Sequence, residues 1–120
     1  MINRFALFEG QLKPGTTEAF RAAVSAQLVP LWRQFPGNTD VRISFGGERD
    51  EGAPEFPLRL AISYRDPASL EQALPSPFRA QSRDGTAQIV AQFFKGRIHQ
   101  HVTEDFKFKA DVRMDSAAQN

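Results

Sequence analysis

The sequence predicts an α+β fold of the ferredoxin-like kind, a βαββαβ chain whose four-stranded antiparallel sheet carries its helices on one face. Three observations lead there. Residues 41–45 and 58–65 alternate apolar and polar side chains with the period of two that marks a half-buried strand. Residues 20–35 space their apolar side chains at the helical period instead. The order strand, helix, strand, strand, helix, strand is the split βαβ unit, which sets the first and third strands in the middle of the sheet.

Residues 2–9 read as the first strand, built on Ile2, Phe5, Leu7 and Phe8 and ended by Gly10 and the turn-prone Lys13-Pro14-Gly15. Thr16 is placed as an N-cap, with Glu18 in the first turn where the helix dipole favours a negative charge. The stripe Phe20, Val24, Leu28, Leu31 and Phe35 follows, until Pro36-Gly37-Asn38 ends the helix. Pro30 lies inside it and offers no donor to the carbonyl of Ala26, so a kink or break near Gln27 is expected. The two alternating strands come next, joined by the polar, Gly-rich residues 46–55, long for a hairpin. This loop has neither the spacing nor the charge of a phosphate cradle, because its four carboxylates would repel the anion. Asp66-Pro67 starts a short helix through Leu74, and Ser76-Pro77 starts another that carries Phe78, Gly85, Ile89 and Phe93 along one face. Gly96 reads as its left-handed cap, and residues 97–102 as the last strand.

A chain of 120 residues holds one ordinary domain, residues 1–108, followed by a polar tail over 109–120. With 41% hydrophobic and 24% charged residues, the composition is that of a soluble globular protein rather than a disordered one. A net charge of +1 provides no global field to recruit nucleic acid or an anionic membrane, so neither is an expected partner. The absence of cysteine excludes disulfides and thiol chemistry. No segment has the length and apolarity of a membrane span and the start lacks a cleavage site, so a cytoplasmic protein is expected.

The sheet face away from the helices would present Arg42, Ser44, Arg59, Ala61, Ser63, His99 and His101, with apolar surface from the first strand. A twofold-related copy covering that face would close a two-sheet barrel and shelter the edge strands. Several short segments then resemble a known family: Gln27-Leu28-Val29-Pro30-Leu31, Phe35-Pro36-Gly37, Ser76-Pro77-Phe78-Arg79-Ala80, and Gly96-Arg97-Ile98 through Val102-Thr103-Glu104-Asp105. Over about residues 2–106 the chain resembles the EthD-like (ethyl tert-butyl ether degradation) family of the dimeric α+β barrel superfamily, a group similar to methylmuconolactone methylisomerases. The resemblance implies a homodimer with a cleft between sheet and helices, and a small hydrophobic, often aromatic or lactone-like ligand. It also implies no organic cofactor. Where that family commonly has a histidine just ahead of the Pro-Leu, this chain has Gln27, which hydrogen-bonds but takes up no proton near neutral pH.

The candidate catalytic residues are His99, His101 and Tyr64. The two histidines share one strand face and suit acid–base work. At this spacing they are also able to chelate zinc, but no third ligand is placed near them, so no metal is expected. Tyr64 is in phase with Ile62 on the helix-facing side and carries a polar tip that needs a partner when buried. The candidate ligand-binding residues are Gln27, placed on the apolar stripe and pointing at the sheet, Trp32 beside that stripe, and Arg97 as a carboxylate partner.

Two functions follow. One is a cofactor-independent isomerase, lyase or oxygenase of small-molecule catabolism acting on a compact cyclic or aromatic compound by positioning and one acid or base. The other is a non-catalytic dimeric ligand-binding or accessory module. RNA binding, which the same topology serves elsewhere, would need exposed aromatics on the third strand; that strand reads Leu58-Arg59-Leu60-Ala61-Ile62-Ser63-Tyr64-Arg65.

Overall fold

A computed structural model describes residues 1–111; residues 112–120 of the expected polar tail lie outside the described residues. The chain runs β1 (Ile2–Leu12), α1 (Thr17–Ala23), a π-helical turn (Val24–Leu28), α2 (Val29–Trp32), β2 (Asn38–Phe45), β3 (Leu58–Tyr64), α3 (Pro67–Ala73), α4 (Pro77–Phe93) and β4 (Phe94–Glu104). The sheet order is β2-β3-β1-β4 with every neighbour antiparallel, and the helices cover one face. This is the ferredoxin-like arrangement, with β1 and β3 central.

Register assigns the two faces. Arg4, Ala6 and Phe8 of β1 lie opposite Ile62, Leu60 and Leu58 of β3, and opposite Val102, Gln100 and Ile98 of β4. Directly paired residues share a face, so this set looks toward the helices while Asn3, Phe5, Leu7 and Glu9 look away with His101 and His99. The core fills the first side: Phe8, Phe20, Val24, Leu28, Trp32, Leu58, Tyr64 and Ile89 are all nearly inaccessible. Phe20 meets Phe45 and Phe93 edge to face at centroid distances of 6.5 and 6.1 Å.

Pro30 produces the expected disturbance, but its form changes which residues face the sheet. The amide of Val29 bonds to the carbonyl of Val24, five residues back, and the chain widens into a π turn. On a regular helix at 100° per residue, Leu31 would lie about 20° from Phe20 and Trp32 about 120° away. The extra residue in the turn rotates everything downstream. The buried series becomes Phe20, Val24, Leu28 and Trp32, while Leu31 is only half-buried. Gln27, expected on the stripe and pointing at the sheet, is exposed for the same reason. Trp32, expected beside the stripe, lies on it.

Capping follows expectation at two of three starts. Asp66 accepts a hydrogen bond from the Ser69 amide at 2.8 Å, and Ser76 from the Phe78 amide at 3.1 Å. Thr16 caps nothing; its hydroxyl donates back to the Lys13 carbonyl at 2.6 Å. Gly96 is not a helix cap either. It sits inside β4, paired with Gly10 of β1, where a Cβ would fall 2.1 Å from the Glu9 carbonyl oxygen. Gly10 itself has φ of 150°, a conformation that favours glycine. The strands meet so closely at this point that neither position has room for a side chain.

Candidate functional site

Where α2 and α4 lean over the central strands, packing stops short and leaves a cavity of about 510 Å³. Its floor is apolar, from Ala6 and Phe8 of β1 and Leu60 and Ile62 of β3, and Trp32 and Phe35 close one wall. Ile98 and Gln100 of β4 border it on the outer side. The opposite wall is α4, which contributes Arg79, Ser82, Arg83 and Thr86. Arg79 and Arg83 are one turn apart and therefore share a helix face. Arg4 reaches the same cavity from β1, because strand alternation puts it in phase with Ala6 and Phe8.

Tyr64 is fully buried, and its hydroxyl has no hydrogen-bond partner among the described residues. Burial pushes its phenol above the ordinary value, and the charges of Arg4 and Arg79 pull the other way. The same neighbourhood acts on Arg4. Burial lowers that guanidinium from its usual range, repulsion by Arg79 adds to this, Tyr64 opposes it, and Arg83 contributes a smaller repulsion. Tyrosine and arginines are thus close enough to feel one another across the core.

A second cavity, of about 380 Å³, lies under the 46–57 loop. Its arginines are occupied: Arg21 sits 5.0 Å from the centroid of Phe45 and donates to the Gly46 carbonyl, and Arg59 sits 4.9 Å from the centroid of Phe56. Glu48 and Glu55 add negative charge to its lining.

The far face of the sheet holds a different set. Glu9 Oε1 is 2.7 Å from His99 Nε2 and 3.9 Å from Arg97 Nε. Asn3, 1% exposed, accepts a hydrogen bond from the Ser63 hydroxyl and donates to the Asp105 carboxylate. Phe5 and Leu7 are half-buried beside them, and His101 is exposed.

The residues singled out from sequence are therefore not brought together. Trp32 lines the cleft and Tyr64 is buried next to its arginines, whereas His99, His101 and Arg97 lie on the other side of the sheet and Gln27 faces outward. Arg4, Arg79 and Arg83 escaped sequence reasoning. The available signals were the i, i+4 spacing in α4 and the phase of Arg4 with Ala6. Among the described residues, no group of three or more His, Cys, Asp or Glu side chains is placed to hold a metal ion, and no helix is long and apolar enough to cross a membrane.

The architecture defines a ferredoxin-like α+β protein with a cleft between helices and sheet, and solved structures share it. One is an ethyl tert-butyl ether degradation (EthD) family protein from Bacillus halodurans C-125, with a TM-score of 0.66 at 23% identity, covering 88% of this chain and 99% of the other. A dimeric ferredoxin-like protein of unknown function from Jannaschia sp. CCS1 gives a TM-score of 0.59 at 18% identity, covering 88% and 100%. A proposed antibiotic biosynthesis monooxygenase from Nitrosomonas europaea gives 0.55 at 17%, covering 89% and 100%. At these identities the likeness shows the fold. No protein-family model and no curated protein matches the chain.

Proposed function

We propose that the protein is an EthD-like, cytoplasmic homodimer that takes a compact cyclic or aromatic compound into the cleft between sheet and helices and acts on it without an organic cofactor. The observation that carries this reading is the cleft itself: about 510 Å³ with an apolar floor, the chain's only tryptophan in its wall, and a buried, unpartnered tyrosine hydroxyl next to its arginines. The chemistry is isomerisation, elimination or oxygenation of a substrate held dry and oriented, with Tyr64 as the acid. In a twofold pair the far face of the sheet becomes the barrel interior. There His99, held by Glu9, and His101 are second candidates for proton transfer, with Arg97 beside them.

The dimer draws support from Phe5 and Leu7 on that face and from solved relatives described as dimeric. The alternative, a binding or accessory module without catalysis, draws support from Gln27 lying outside and from both histidines lying across the sheet from the cleft. Trp32 makes the test direct, because its fluorescence reports occupancy of the cleft. A panel of aromatic and lactone compounds is titrated against that signal, and each binder is then followed for turnover by chromatography. Binding with conversion supports the enzyme, binding without conversion the module, and an unchanged Trp32 signal across the panel refutes both.

A further inference from the structure

We infer that the ligand of this cleft is an anion, a carboxylate carried on a compact apolar ring, held by Arg4, Arg79 and Arg83. This rests on the reading of the cleft as the binding site and specifies what it selects. Three guanidinium groups border the cavity and its lining contains no aspartate or glutamate. Among the described residues none of the three has a carboxylate within ion-pair distance, Arg79 donating only to the Leu74 carbonyl at 3.3 Å, although Arg42, Arg49 and Arg97 each have one. Arg4 and Arg79 are half-buried, so they are partly stripped of the water that otherwise compensates a cation. Placing like charges together at a partly desolvated site costs free energy in the empty protein, and a bound anion removes that cost.

The shape of the site narrows the anion further. Guanidinium groups match a carboxylate with paired hydrogen bonds, which a neutral amide of the same shape does not reproduce. The floor of Ala6, Phe8, Leu60 and Ile62 gains only from apolar surface, which a small inorganic anion lacks. A ring bearing one carboxylate satisfies both halves.

Calorimetric titration of the full chain with 1-naphthoate, with its neutral isostere 1-naphthamide and with inorganic phosphate tests this. The acid should bind about tenfold or more tighter than the amide at low salt, with the advantage shrinking several-fold as sodium chloride screens the charges. Phosphate should compete only weakly. Arg83→Gln, at an exposed position, should cut the acid's affinity about threefold or more while leaving the amide's unchanged, and Arg79→Gln should cut it further. If Arg79→Gln does not melt cooperatively, Arg83→Gln and the salt dependence of the unmodified chain decide. Equal affinity for acid and amide overturns the anion and leaves the cleft reading standing. Phosphate competing as strongly as naphthoate overturns the apolar half. Failure of both naphthyl compounds to bind at millimolar concentration overturns this inference together with the cleft reading.

Discussion

Replacing Tyr64 by phenylalanine should make the protein more stable. The ring is fully buried and the hydroxyl has no partner among the described residues, so folding strips that group of water without returning a hydrogen bond. An unsatisfied buried hydroxyl costs about 1–3 kcal/mol, and the variant removes it without disturbing the packing of the ring. A net gain of about 1–2 kcal/mol is expected, the remainder being lost to the small void left by the oxygen. For 120 residues, with an unfolding entropy of about 2.1 cal/mol/K per residue, each kcal/mol shifts the midpoint by about 4 °C, so the melting temperature should rise about 4–8 °C. Calorimetric melting of both proteins at neutral pH measures this. The alkaline limb gives a second reading. Burial holds the folded phenol above its ordinary value of 10, so its contribution to stability is complete below pH 10 and is lost as pH rises through the folded value. The variant should lack this loss. A melting temperature that drops on substitution would refute the reasoning, because it would mean that the hydroxyl is satisfied in the folded protein.

Other substitutions test other parts of the structure. Gly96→Ala forces a Cβ to within 2.1 Å of the Glu9 carbonyl and should destabilise the chain by at least ~2 kcal/mol in urea unfolding. Leu28→Ala, at a fully buried position, should cost about 2–5 kcal/mol by the same measurement. Asp66→Ala removes the cap on α3 and should lower the melting temperature. The Ser69 amide holds this carboxyl below its usual 3.8, so the bond stabilises at neutral pH and fades as pH falls through the lower folded value, a dependence the variant should lack. Phe5→Glu, on the sheet face away from the helices, should convert the proposed dimer to a 13.4 kDa particle in light scattering.

Strand periodicity located the middle of the sheet well, because β3 has a clean phase: Leu58, Leu60, Ile62 and Tyr64 all face the helices. β1 resisted the same reading. It carries apolar side chains on both faces, Phe5 and Leu7 on one and Ala6 and Phe8 on the other, so the phase of Arg4 with Ala6 marks it as facing the cleft only once the inward face is known. The local pairs Asp66-Pro67 and Ser76-Pro77 were legible because a cap is decided within a few residues. Gly96 was misread as a cap because its true constraint, the backbone of Gly10, lies 86 positions away along the chain. Gln27 and Trp32 were misplaced because a helical wheel assumes a constant turn, and Pro30 signals a disturbance without giving its size.

That turn also exposes how the wall of the cavity beneath α2 and α4 is chosen. Widening one turn ahead of α2 so that an amide bonds five residues back instead of four exchanges an aliphatic branch for an indole at the mouth of the pocket, with no change in the strands beneath. Substituting Pro30 so that residues 24–28 wind as a regular helix at unchanged length should reverse the exchange, offering Leu31 inward and turning the indole toward water. The winding at this one spot, disturbed by Pro30, then decides which side chain lines the cavity.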